Sequence, residues 1–223
     1  FFRDPPSIMP SINDIAPFIK NNEFKDVKAL ILGGSRGLGE LTSKIIAIGG
    51  GESTITYNAG REDAEIVYKE ILQNGYKANI LQLDISDDLN VFGGEYNQMY
   101  YFASPKILNE SKISNSDLLQ KKYTYFYIES FKKIANKLQE KNSKINIFYP
   151  STVFIDEEQS DFKIYAQTKL LGEQACSKYE KNCKVLKPRL PRMKTDQTVG
   201  LSEDLYNDPM KIMIPYIREM ACG

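Results

Sequence analysis

The chain has 223 residues, 42% of them hydrophobic and 26% charged, with 29 basic residues against 29 acidic ones. That length suffices for one domain with a substantial core, and the charge balance provides no global field to attract nucleic acid or an anionic membrane. Histidine is absent, which excludes Ser-His-Asp and Cys-His catalysis and histidine metal sites, so any chemistry must come from Tyr, Lys, Ser, Cys, carboxylates or a bound cofactor.

The opening stretch, with Pro5, Pro6 and Pro10, reads as an irregular lead-in, after which Ser11 can cap a helix over Ile12 to Phe24, limited by Pro17. Residues 1–26 read either as a lead-in or linker from a preceding domain or as an arm folded onto the main domain, which covers 27–223. From Val27 the pattern alternates short apolar runs with helical spacing, as in a parallel α/β sheet. Strands are expected at Val27–Leu32, Ser53–Tyr57, Lys77–Leu83, Met99–Ala103, Ile145–Tyr149 and around Val185–Leu186. Helices are expected from Leu38 to Ile48, from Glu62 to Gln73, over the aromatic stripe Tyr123, Tyr127, Phe131, Ile134 and Leu138, from Ile164 to Tyr179, and from Pro209 to Met220 with a kink at Pro215. The segment from Asp84 to Gln98 leaves room for little helix. The fold class is therefore α/β, a Rossmann-type doubly wound, mainly parallel sheet with helices on both faces.

Cys176, Cys183 and Cys222 lack the paired spacing of a zinc site and read as reduced thiols; no metal is expected. No apolar run is long enough to cross a bilayer and no signal-peptide pattern opens the chain, so the cytoplasm is the expected location, without nucleic-acid or membrane partners.

Between the first strand and first helix lies Leu32-Gly33-Gly34-Ser35-Arg36-Gly37-Leu38-Gly39. Glycines permit a tight turn with positive backbone dihedrals and let a pyrophosphate approach bare N–H groups at a helix N-terminus. Gly33, Ser35, Arg36, Gly37, Leu38 and Gly39 are thus the expected phosphate cradle. An acid at the end of the second strand would favour NAD; that strand runs into Thr56-Tyr57-Asn58-Ala59-Gly60-Arg61 instead. Arg36 and Arg61 could pair with a 2′-phosphate, and Asn58 at that strand end is a further expected cofactor-binding residue, so NADP(H) is the expected cofactor.

These residues resemble the short-chain dehydrogenase/reductase family, whose glycine fingerprint falls on Gly33, Gly37 and Gly39, with Leu32 where the family usually has threonine. The resemblance implies that Asp84 and Ile85 border the adenine and that Ala103 and Ser104 follow the fourth strand along the cofactor. It continues at Tyr165-Ala166-Gln167-Thr168-Lys169, which looks like the family's Tyr-x-x-x-Lys, on one helix face. A phenol near its reference pKa of about 10 is a poor acid at neutral pH; a nearby lysine and the oxidised nicotinamide's charge would lower it. Tyr165 is then the general acid, Lys169 the holder of the nicotinamide ribose, and Ser151 the substrate-orienting hydroxyl, with Thr152 as its fallback. The family's asparagine in the preceding helix is missing from Lys122-Tyr123-Thr124-Tyr125-Phe126. Thr195 resembles the threonine that contacts the cofactor after the sixth strand.

The resemblance runs from Val27 to Thr195 and implies an NADP(H)-dependent oxidoreductase that reduces a carbonyl to an alcohol. The expected substrate is a 3-oxoacyl thioester or similar ketone, small or carrier-bound. A nucleotide-sugar reductase, epimerase or dehydratase is an alternative, suggested by Glu173 four residues after Lys169. A catalytically weak dinucleotide-binding sensor or scaffold is another. Homo-oligomerisation through the aromatic helix and the Tyr165 helix, and fusion to an upstream domain, complete the expectations.

Overall fold

The computed structural model describes residues 9–85, 94–157, 160–193 and 207–222. Six parallel strands form the central sheet in the order β3-β2-β1-β4-β5-β7: β1 (Lys28–Leu32), β2 (Glu52–Tyr57), β3 (Ala78–Gln82), β4 (Gln98–Tyr101), β5 (Asn146–Phe148) and β7 (Val185–Leu186). Two short strands, β6 (Ser151–Thr152) and β8 (Arg189–Leu190), pair in parallel beyond its carboxyl edge. The order reverses between β1 and β4, where a doubly wound sheet opens a crevice.

The period of two in each strand explains why both faces need helices. Along β1, Ala29 and Ile31 enter one core, while Leu30 and Leu32 enter the other. Likewise Tyr100 and Phe148 face one side, and Met99, Tyr101, Ile147 and Tyr149 the opposite side. The first face is covered by α1 (Ile12–Ile15), α2 (Gly37–Ile48), α3 (Arg61–Gln73) and α7 (Pro209–Ala221). The second is covered by α5 (Phe131–Lys141) and α6 (Lys163–Cys176), with α4 (Ser116–Thr124) leading into α5.

Two elements differ from the sequence expectation. Ser11 caps a helix as anticipated, but α1 stops at Ile15 and a 3-10 turn over Ala16–Phe18 carries the chain past Pro17. Met9, Ile12, Ile15, Ile19 and Phe24 are buried in the same core as α2 and α7, and Glu70 of α3 accepts from the Ile12 N–H. The aromatic helix is also not uniform: between α4 and α5 the backbone widens into a π-turn at Tyr125–Ser130. The reading of Asp84–Gln98 as largely non-helical falls mostly outside the described residues. Among the described residues, no helix is long and apolar enough to cross a membrane, and no group of three or more carboxylates and thiols could hold a metal.

Candidate active site

A cleft of about 710 Å³ runs across the carboxyl ends of β1, β4 and β5. At one end lies the glycine turn. Gly33 and Gly37 have φ of +75° and +55°, values that a side chain rarely adopts. A Cβ on Gly39 would lie 2.3 Å from Gly33 O, and one on Gly33 would press on the backbone of Phe102 and Ala103. The cradle is therefore bare because only glycine fits. Although Leu32 replaces the family's threonine, the turn is tied from the next strand: Thr56 Oγ1 accepts from Gly33 N–H at 3.1 Å and donates to Ile31 O at 3.1 Å.

Gly33, Ser35, Arg36, Gly37, Leu38, Gly39, Asn58, Ile85, Ala103 and Ser104 all line this cleft. Arg36 also pairs with Asp63 of α3, Nε to Oδ2, at 2.7 Å. Two other expected contacts fall outside the lining. Arg61 is directed to Glu65 at 2.8 Å with a largely exposed side chain, and Asp84 accepts from Asn58 Nδ2 at 3.0 Å, tying the ends of β2 and β3 together. Thr195 lies outside the described residues.

At the other end the structure brings Ser151, Thr152, Tyr165 and Lys169 together. Parallel pairing of β6 with β8 fixes the first two, and α6 carries the second two on one face. The start of α6 has no capping side chain of its own; Glu110 Oε1 supplies the cap from afar, accepting from Ile164 N at 2.7 Å and Tyr165 N at 3.2 Å. Of the two adjacent hydroxyls, Thr152 lines the cleft with Tyr165 and its Oγ1 accepts from Phe154 N–H at 3.3 Å. Ser151 Oγ is buried, faces Glu173, and makes no hydrogen bond of ordinary geometry.

Electrostatically the pair departs from the expectation that lysine would acidify the phenol. Burial dominates and pushes Tyr165 above its ordinary value, while burial also pulls Lys169 down to about 7. The Lys169 ammonium donates to Pro150 O at 2.5 Å and lies over the rings of Tyr127 and Tyr149, at 4.3 and 4.7 Å from their centroids. Such stacking favours the ammonium and limits its loss.

The tyrosines that form this cage were not identified from the sequence. A π-turn leaves carbonyls without their usual i+4 partners, and here Tyr101 donates to Phe126 O at 2.6 Å and Tyr149 to Tyr127 O at 3.0 Å. The widened turn thus presents the Tyr127 ring to Lys169, in the helix where the family's asparagine is missing. The Tyr127 hydroxyl meets Ser104 Oγ at 2.5 Å; because Ser104 spends its one proton on Pro105 O, Tyr127 is the donor. Glu173 is engaged in a two-bond fork with Arg189, both bonds 2.9 Å, which holds α6 to β8. Burial is the largest single effect on Glu173 and would raise it, but the hydrogen bonds and charge of Arg189, with the Ser151 hydroxyl and the charge of Lys187, together keep its carboxyl below the usual range. Cys176 is buried and its thiol is pushed up to about 12 by that burial, an inert group.

No family model matches the chain. The uncharacterized oxidoreductase YgfF of Escherichia coli K12 is 41% identical over 63 residues, which span 28% of this chain and about a quarter (26%) of that protein. Among solved structures, a short-chain dehydrogenase from Escherichia coli CFT073 complexed with NADPH superposes with a TM-score of 0.76 at 15% identity, covering 90% of this chain and 93% of that one. The angucycline C-6 ketoreductase LanV with bound NADP gives 0.75 at 12%, covering 89% and 91%. The FolM alternative dihydrofolate reductase 1 of Brucella suis in complex with NADP gives 0.68 at 14%, covering 89% and 86%. At these identities the likeness is one of fold, and it agrees with the order of motifs along the chain. The chain has the short-chain dehydrogenase/reductase fold, with a glycine turn, a strand-end hydroxyl pair and a Tyr-x-x-x-Lys helix in that family's order.

Proposed function

We propose that the protein is an NADP(H)-dependent oxidoreductase that interconverts a carbonyl and an alcohol. The observation that carries this reading is the single cleft joining the glycine cradle to Thr152, Tyr165 and Lys169. The cradle suits a diphosphate because its walls are bare backbone beside a helix N-terminus. Arg36 sits where it can meet a 2′-phosphate while keeping its bond to Asp63. NADP(H), when bound, supplies or accepts the hydride.

The chain's own residues manage the proton. Tyr165, kept neutral by burial, donates to the developing alkoxide during reduction. Thr152, which lines the cleft with the phenol, is the hydroxyl that holds the same oxygen, a role first expected of Ser151, whose Oγ is buried. Lys169, anchored by Pro150 O and two tyrosine rings, holds the ribose and places positive charge beside the phenol. The substrate in this reading is a 3-oxoacyl thioester or similar ketone. A homo-oligomer, also part of it, would cover Leu118 on α4 and Leu170 and Leu171 on α6, which are exposed.

The test is NADPH consumption against a panel of ketones, aldehydes and acyl thioesters, with Tyr165→Phe as control. Turnover should fall at least about a hundredfold in the variant while NADPH binding, read by fluorescence, stays within about twofold. Equal turnover in both proteins would overturn the assignment of Tyr165.

A further inference from the structure

The whole chain is neutral, with 29 charges of each sign, but the cleft is not. Its described lining contains four basic side chains, Arg36, Lys106, Lys169 and Arg192, and no aspartate or glutamate, while Asp63 and Glu157 outside the lining pair with Arg36 and Arg192. Arg36 and Lys169 have roles in the reading above. Lys106 and Arg192 do not. They enter from separate elements, Lys106 two residues past Ser104 after β4, and Arg192 two residues past β8.

Arg192 is seated rather than loose. Its guanidinium lies 4.9 Å from the centroid of the Phe154 ring and donates to Glu157 at 3.0 Å, leaving the side chain 22% exposed. Phe154 in turn meets Tyr165 edge-on, with centroids 6.2 Å apart. One aromatic ring therefore separates a fixed cation from the phenol. A guanidinium stacked on a ring retains planar N–H donors matched to a carboxylate or phosphate. Cations lining a low-dielectric cleft also concentrate anions there.

Building on the redox reading, we propose that the carbonyl substrate is an anion whose carboxylate or phosphate docks on Arg192 while its carbonyl faces Tyr165. Lys106 adds attraction at the mouth, and the rings of Phe154 and Tyr165 flank the apolar body between the two groups. Arg192 is then a specificity-determining residue.

A matched pair of probes reads this directly: 4-carboxybenzaldehyde and methyl 4-formylbenzoate share a carbonyl and differ by one charge. With NADPH, kcat/KM for the acid should exceed that for the ester by about tenfold or more, and Arg192→Gln should erase the difference through KM, with the ester unchanged within about twofold. Equal use of acid and ester by the wild-type protein, or equal loss on both in the variant, would overturn the inference. So would a weakened NADPH affinity in Arg192→Gln, which would assign Arg192 to the cofactor. Calorimetric binding of 4-(hydroxymethyl)benzoate and its methyl ester to the NADP-loaded protein reads the same discrimination without turnover. Discrimination in binding without NADPH consumption would support the anion site and sink the redox reading; no discrimination in either assay would sink the anion site alone.

Discussion

Replacing Gly172 with alanine tests the packing on which the lysine cage depends. In the interior of a helix, alanine is favoured over glycine by about 1 kcal/mol, so without tertiary conflict this change stabilises. Here a Cβ would fall 1.9 Å from the Tyr149 hydroxyl oxygen and 2.6 Å from the ring carbon that bears it. The ring cannot swing aside cheaply: Tyr149 is fully buried and donates to Tyr127 O. Forced overpacking costs about 1–3 kcal/mol and a broken buried hydrogen bond about 1–3 more. Less the helix gain, the net is a loss of about 3 kcal/mol, or roughly 6–12 °C in Tm for a chain of this size. Thermal unfolding followed by circular dichroism measures it. Tyr149→Phe removes the nearer of the two clashing atoms, so the double variant should recover part of the loss, a non-additivity of about 1 kcal/mol or more. A Tm for Gly172→Ala at or above the wild-type value would refute this packing of Tyr149 against α6.

Three further outcomes follow from the same geometry. Burial holds Lys169 at about 7 in the folded state, against an ordinary value of 10.5; between those values the unfolded chain binds more protons, so stability rises with pH across that window. Between pH 7 and 9 the gain is about 2 kcal/mol in denaturant titrations, and parallel profiles for wild type and Lys169→Met would contradict it. Thr152→Ala should cut kcat by about a hundredfold, whereas Ser151→Ala, which removes a hydroxyl without a well-formed bond, should leave Tm and kcat nearly unchanged; steady-state kinetics giving the reverse order would return the role to Ser151. Arg36→Leu should weaken NADPH binding by about tenfold with little effect on NADH, and an equal effect on both, measured by fluorescence titration, would remove Arg36 from the 2′-phosphate.

What the sequence makes legible is what spacing alone encodes. The glycine turn sits between a buried strand and a helix, and Tyr165 and Lys169 lie four apart, so both could be read locally. The alternation of short apolar runs with helical spacing from Val27 predicted a parallel sheet with helices on both faces, and the structure has it. The cage around Lys169 could not be read this way. Tyr127 fits a regular helical stripe with Tyr123 and Phe131, and nothing in that spacing reveals the single widened turn that aims it. Tyr149 and Gly172 lie on different elements and meet only when α6 docks on β5. Glu110 caps α6 from 54 residues away, beyond any local capping pattern. Arg61 has a competing local partner: its charge suits a phosphate, but its helix offers Glu65 one turn on, and the guanidinium is directed there.

The Tyr-Lys pair also shows why proximity of charge does not by itself set a proton's affinity. Both groups are taken out of water, and each then resists its charged form: the phenol resists losing a proton, the ammonium resists keeping one. Left alone, such a pair would rest as neutral phenol beside partly neutral amine near pH 7, ready to protonate an alkoxide and poorly placed to abstract a proton. The two rings and the Pro150 carbonyl recover part of the ammonium's lost hydration without lowering the phenol. The cleft itself lacks carboxylates among its described lining, so any anion that enters it stabilises the ammonium. Ligand binding and protonation of Lys169 are therefore coupled with the same sign: anionic ligands should bind more tightly as pH falls through about 7.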